Sequence, residues 1–101
     1  MHALDALGNQ VRRDILMVLR DRPLAVHEIA DRFPVSRPSI SRHVRLLEEA
    51  GLVEATRQGR ESLYSVRLQG FATVRQFIDG FWDVALERLA LIAKEDGAHR
   101  S

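Results

Sequence analysis

The chain has 101 residues, with 15 lysines and arginines against 14 aspartates and glutamates for a formal net charge of +1, and it is 46% hydrophobic and 29% charged. That is enough apolar material for one core and too little length for two, and the near balance of charge excludes a polycationic tail without excluding a local basic patch. Cysteine is absent, which excludes disulfides, thiolate metal ligands and a cysteine nucleophile.

No apolar run approaches the roughly 18 residues that a membrane-spanning helix needs, and the N-terminus lacks a cationic segment followed by an apolar one. A soluble, cytoplasmic protein with no membrane partner is expected. From Asn9 to Asp21, apolar residues recur at Val11, Ile15, Val18 and Leu19, the spacing of one helix face, and Pro23 ends that helix. A second, short helix fits Val26 to Phe33, stopped by Pro34, which disfavours helical backbone at the residue before it. Ser36 then stands as an N-cap with Pro38 in the first turn, and Ile40, Val44 and Leu47 form the next apolar stripe. Gly51 suits the left-handed position that closes this helix, with Leu52 packing back on Leu47.

After Gly51 the texture changes. Leu52 to Arg57 and Ser62 to Val66 are short and rich in strand-tolerant residues, separated by Gln58-Gly59-Arg60, and they predict a β-hairpin. From Phe71 the apolar positions return to helical spacing through Ala93, predicting a helix of roughly 22 residues. Only Gly97 to Ser101 look frayed. A short helix, a tight turn, a capped helix and a hairpin follow the order of a winged helix-turn-helix. The predicted fold is mainly α with a two-stranded wing. It is read as one domain over 1–101, with the helix-turn-helix at 26–50, the wing at 52–67 and a long C-terminal dimerisation helix at 70–95.

Residues stepped at 100° around the third helix, with Ile40, Val44 and Leu47 inward, put Pro38, Arg42 and Arg45 near the opposite side and Ser41 on a flank. Arg37 and Ser39 fall in the exposed first turn. Between Ser36 and Leu47 there are three arginines and His43 and no acid, so positive charge gathers where a groove-reading helix needs it. Arginine's planar fork bonds two acceptors of guanine at once, and serine hydroxyls serve bases or phosphates. At the hairpin tip Arg57 and Arg60 flank Gly59, within reach of phosphates or a minor groove, although Glu61 weakens that signal. On the last helix Phe77, Phe81 and Trp82 spread over adjacent faces, more aromatic surface than so small a domain covers alone. A partner helix is the economical explanation; a helix folded over its own core is the other.

These residues resemble the ArsR/SmtB family of bacterial winged-helix repressors. The stretches that carry the resemblance are Ala6 to Asn9 with Arg12 to Leu16, Pro23-Leu24, Glu28 to Ala30, Val35 to Val44, Leu47, Ala50 to Val53, and Gly59-Arg60 with Leu63-Tyr64. Phe81-Trp82 followed by Leu86 and Leu89 looks like the metal-independent, SdpR-like autorepressor branch. The resemblance implies a homodimer joined through the first and last helices, which brings in Leu4 and Leu7 beside Phe77, Ile78, Phe81, Trp82, Ala85 and Leu89. It also implies a Ser36–Ala50 helix in the major groove of a palindromic operator in double-stranded DNA, and repression of the protein's own or a neighbouring operon. Arg37, Ser39, Ser41, Arg42 and His43 match positions of the family's recognition helix.

Many members of that family sense metals through cysteines or through an acid-and-histidine set on the final helix. Here cysteine is absent, and that helix carries Asp79, Asp83 and Glu87 without a histidine before His99, so no metal ligand and no cofactor are expected. The residues name no small-molecule effector. His2, His27 and His99 are expected to be solvated, whereas His43 either packs beneath its helix or contacts a phosphate. Ala25, where a serine or threonine usually caps the short helix, removes an acceptor at a cost of about 1 kcal/mol. Gly80 costs a similar amount inside the long helix and fits a close helix crossing. No phosphate-cradling glycine motif and no serine–histidine–acid set with supporting context is present, so an enzyme is not expected. A winged-helix module for protein assembly, without specific DNA binding, is the alternative function.

Overall fold

The computed structural model describes the chain from Met1 to His99, with side chains described as far as Glu95. Its elements are α1 (Ala3–Ala6), α2 (Gln10–Leu19), α3 (Val26–Ala30), α4 (Arg37–Glu49), β1 (Val53–Gln58), β2 (Glu61–Val66), a 3-10 turn (Leu68–Phe71) and α5 (Ala72–His99). The architecture is the expected winged helix-turn-helix with a long C-terminal helix.

Helices α2, α3 and α4 bury their apolar stripes against one another. Ile15, Ile29, Ile40, Leu47 and Leu52 are fully buried, and Leu24, Val44 and Val53 nearly so; each such side chain contributes about 1.5–3 kcal/mol by leaving water. Asn9 caps α2 by accepting from the Arg12 N–H at 3.1 Å, and the Ser36 hydroxyl caps α4 by accepting from the Ser39 N–H at 3.2 Å, with Pro38 in the first turn. At the far end of α4 the Gly51 N–H donates to the Glu48 carbonyl and the Leu52 N–H to the Leu47 carbonyl, both at 3.0 Å. With Gly51 at φ 77°, this is a complete Schellman ending, and it delivers Leu52 into the core.

The hairpin is antiparallel in the register Val53↔Val66 to Gln58↔Glu61, closed by a two-residue loop in which Gly59 takes φ 63°, as such loops require. A lone bridge ties it to the helical layer. Leu24 and Tyr64 exchange both backbone hydrogen bonds, at 3.0 and 2.8 Å.

Several boundaries differ from those the pattern predicts. Only the resemblance placed Leu4 and Leu7 at an element near the chain start; helix α1 is not visible in the apolar pattern, since four residues are too short to show a period. It is held by His2 Nδ1, which accepts from the Leu4 N–H at 3.2 Å, and by arginines of α2 that donate to its terminal carbonyls, Arg12 Nε to Ala6 at 2.7 Å and Arg13 Nη1 to Leu7 at 2.7 Å. Helix α2 ends at Leu19 rather than Asp21. Helix α3 ends at Ala30 because the Arg32 and Phe33 N–H groups turn to carbonyls three residues back. Ala25 lacks the side-chain cap as expected, yet the Glu28 carboxylate accepts from the Ala25 N–H at 3.0 Å, which keeps half of a capping box.

A 3-10 turn precedes α5, so residues 70 and 71 belong to a tighter coil, and α5 runs through His99, past the loose end expected at Gly97. Arg100 and Ser101, and the side chain of His99, lie outside the described residues. Helix α5 is about 42 Å long at 1.5 Å per residue, in a molecule 69 Å in its longest extent. Val74 is buried near its start, but Phe77 and Phe81 are 58% exposed and Trp82 50%. The helix does not fold back over the core.

The 3-10 turn passes so close to the end of α4 that a Cβ at Gly70 stands 1.8 Å from the Gly51 carbonyl oxygen and 2.7 Å from its carbon, a clash with backbone. Gly70→Ala is therefore expected to destabilise the fold by at least about 2 kcal/mol, whereas Gly80→Ala, with nothing within 4 Å, should stabilise α5 by up to about 1 kcal/mol. Thermal unfolding of the two variants side by side checks both.

Candidate nucleic-acid interface

Helix α4 divides along two axes. Across it, Ile40, Val44 and Leu47 are buried while Arg37, Arg42 and Arg45 face solvent and Ser39, Ser41 and His43 are half-buried on the flanks. Along it, the arginines fill the first nine residues and Glu48-Glu49 the last turn, so cationic side chains share one end with the positive pole of the helix dipole. None of Arg37, Arg42 and Arg45 is drawn into an ion pair among the described residues. A cationic face that is capped, aimed outward and not internally neutralised attracts an anionic partner.

The wing extends this face. Arg60 at the hairpin tip and Arg37 at the start of α4 line one depression together with His27, Glu61 and Tyr64. Arg57 is exposed and its Nε donates to the Gly59 carbonyl at 3.1 Å, so its guanidinium lies over the turn rather than extending freely.

One histidine departs from expectation, and His43 takes one of its two expected placements. His27 is not merely solvated: its Nε2 lies 2.8 Å from Glu61 Oε1, joining α3 to the first residue of β2. The same contact occupies the acid that weakened the wing's positive character. His43 packs on its inner side, with Nδ1 3.4 Å from Arg12 Nη1. Burial first, then the cations of Arg12 and Arg42, hold its pKa below the ordinary histidine value. Neither contact has a local signature, because the partners are 34 and 31 residues apart in sequence. Arg12 was visible only as part of a motif, without a role.

The residues expected at a dimer contact fall in two places. Leu4 is 39% exposed on α1, and Leu7 is half-buried against the core just after it. Phe77, Ile78, Phe81, Trp82 and Leu89 are exposed along α5, with Ala85 half-buried among them. Phe81 stacks on Phe77 at 6.4 Å between ring centres and meets Trp82 edge-on at 5.7 Å. Helix α1 touches α5, so the two elements that carry these sets adjoin. Among the described residues no three histidines or acids gather as a metal would require, and no helix is long and apolar enough to cross a membrane.

A family model described as "Bacterial regulatory protein, arsR family" matches residues 9–55. The chain is 38% identical over 95 residues to the HTH-type transcriptional regulator Rv2034 of Mycobacterium tuberculosis, an alignment that spans 94% of this chain and 89% of that protein. It is 43% identical over 61 residues to the HTH-type transcriptional repressor SmtB of the same species, spanning 60% of this chain and 45% of that protein. Among solved structures, a possible transcriptional regulator for arsenical resistance superposes with a TM-score of 0.77 at 36% identity, covering 90% of this chain and 95% of that one. The homodimeric winged helix-turn-helix DNA-binding domain of Mb0332 from Mycobacterium bovis superposes with a TM-score of 0.63 at 29% identity, covering 78% and 73%. These relatives are regulators of transcription, not enzymes.

The lowered pKa of His43 has a consequence for stability. The unfolded chain binds a proton at this site at higher pH than the folded one, so acidification through the ordinary histidine value of about 6.5 favours unfolding. Between about pH 7 and pH 5 the melting temperature of the wild type should therefore fall further than that of His43→Gln, read by thermal denaturation of both proteins in matched buffers.

Proposed function

The chain belongs to the arsR family of bacterial regulatory proteins, and we propose that this DNA-binding transcriptional regulator is a dimeric repressor of its own or a neighbouring operon. The observation that carries the reading is the outward face of α4, where Arg37, Arg42 and Arg45 stand clear of ion-pair partners among the described residues, on a helix anchored by its buried stripe. In a winged helix-turn-helix such a helix lies in the major groove with its N-terminal part toward the bases. Arg42 and Arg45 are positioned for base edges, and Ser36, Arg37, Ser39, Ser41 and His43 for bases or phosphates. Arg57 and Arg60 on the wing reach the backbone or the adjacent minor groove.

The dimer rests on α5. Its exposed aromatic and aliphatic surface, on a helix that α1 touches, is the kind of patch that a second copy covers together with Leu4 of α1 and Leu7 just after it, and the related Mycobacterium bovis domain is homodimeric by description. Two reading helices related by a two-fold axis ask for an inverted repeat with half-sites about 34–36 Å apart, or a multiple of that. The whole chain acts as one domain in the cytoplasm. Without cysteine anywhere, and without a histidine on α5 before His99, regulation here is independent of a transition metal.

Fluorescence anisotropy against the protein's own upstream DNA and a scrambled duplex, across a salt series, tests the reading. The upstream fragment should bind more tightly, with log affinity falling linearly in log salt at a slope of about −0.9 per phosphate contact; binding to neither duplex sinks the proposal. Arg42→Ala and Arg45→Ala should each cost about 1–3 kcal/mol on the operator, and unchanged affinity in both removes α4 as the reading surface. Phe81→Asp with Trp82→Asp should convert the dimer to monomer in sedimentation equilibrium.

A further inference from the structure

Arg12 sits where three helices meet. From α2 its guanidinium donates Nε to the Ala6 carbonyl at 2.7 Å and Nη2 to the Asp5 carbonyl at 3.4 Å, both at the end of α1, while Nη1 lies 3.4 Å from His43 Nδ1 on α4. A guanidinium carries donors only. The imidazole nitrogen that faces it must therefore be the acceptor, which leaves the ring neutral with its proton on Nε2. Among the described residues that second nitrogen has no protein partner, and no unpartnered side-chain nitrogen or oxygen is buried; Nε2–H accordingly opens to solvent on the helix that faces DNA.

We propose that Arg12 is a positioning residue for DNA recognition: it fixes the tautomer and orientation of His43, so that Nε2–H is presented from α4 as a hydrogen-bond donor, and it ties that donor to the placement of α1. The inference rests on the assignment of α4 as the reading helix and deepens it. A donor at this position matches acceptors only, a phosphate oxygen or a base acceptor such as guanine N7 or O6 or thymine O4. Because α1 adjoins the proposed dimer surface, any shift of α1 on assembly acts on the reading helix through one side chain. The charged groups that bear on the imidazole are Arg12 from α2 and Arg42 on α4 itself; α1 contributes carbonyl oxygens to the same guanidinium. Both cations oppose protonation and act in the same sense as burial, so the neutral ring that the geometry requires is also the form its surroundings favour.

The test follows the imidazole nitrogens of the full-length protein by nitrogen-15 NMR from about pH 5 to pH 8, in wild type and Arg12→Met. The wild type should show the Nε2–H tautomer. In Arg12→Met the titration midpoint of His43 should rise and the other tautomer should appear; an unchanged midpoint and tautomer overturn the proposal. Anisotropy supplies the second readout. Arg12→Met should lower the preference for the upstream fragment over the scrambled duplex by about 5–10-fold, and equal losses on both duplexes reduce Arg12 to a general electrostatic or structural contributor and overturn it. His43→Gln, whose amide donor falls near the position of Nε2, should keep most of that preference and make it insensitive to Arg12→Met, whereas His43→Asn should lose it.

If His43→Asn binds the upstream fragment as well as wild type, it is the DNA-reading role of His43 that fails, and the NMR result alone decides whether Arg12 holds the ring. Should Arg12→Met melt α1, Arg12→Lys keeps the cation but can serve the α1 carbonyls or the imidazole, not both. Where the lysine serves α1, the same spectra should show the other tautomer; an unmixed Nε2–H signal while the α1 amide signals keep their wild-type shifts overturns the proposal.

Discussion

The end of α4 is the joint on which the molecule turns. Gly51 reverses the chain at φ 77°, Leu52 is driven into the core, and Val53 begins the wing with no slack between them. The returning strand closes on the same point: the Arg67 N–H donates to the Leu52 carbonyl at 2.9 Å, the Arg67 side chain reaches the Gly51 carbonyl at 3.4 Å, and Gly70 passes against the Gly51 backbone. Three elements thus take their bearings from two residues. The direction of α4 fixes where the wing starts, and the path of the wing fixes where α5 leaves.

That joint matters because α4 answers two opposed demands. Its inner stripe must be immobile, and Ile40, Val44 and Leu47 are essentially without solvent contact. Its outer face must keep arginine charge available, in a chain whose acids nearly match its bases. The sequence reconciles the two by sorting charge: acids are kept out of the segment from Ser36 to Leu47, while Glu48 and Glu49 sit at the far end. Glu61, the acid closest to the wing tip, is engaged by His27 across 2.8 Å. This contact also anchors the wing to α3, in addition to the Leu24–Tyr64 bridge.

Legibility in the sequence followed the range of the interaction. The Ser36 cap, the Pro38 first turn, the Gly51 ending and the Gly59 loop are written within five residues of themselves, and all stand where the pattern places them. The amphipathic stripe of α4 gave both its buried and its outward residues. Missed were features whose partners are distant in the chain: α1, held by arginines six residues on; the third-strand role of Leu24; the His27–Glu61 and Arg12–His43 pairs; and the demand for glycine at position 70, which comes from a backbone nineteen residues earlier. His27 and Arg12 carry no mark in the local pattern, since an exposed histidine and a helix arginine read as solvated until the fold brings a partner to them. The wide apolar arc of α5 was legible as surplus surface, with a partner helix as its economical cover.

That surplus has a consequence for how the protein responds to its own abundance. An isolated helix of this kind is marginal in water, because nucleation is costly and propensity alone returns little, and beyond Val74 the core lends α5 almost nothing. Its order is then governed by mass action: where a second copy is the cover, the folded fraction of the last third of the chain rises with concentration. Dilution would loosen α5 first and the three-helix core last. Where a second copy is the cover, such a regulator gains competence gradually with copy number, over a range set by the apolar face of one helix rather than by any contact to DNA.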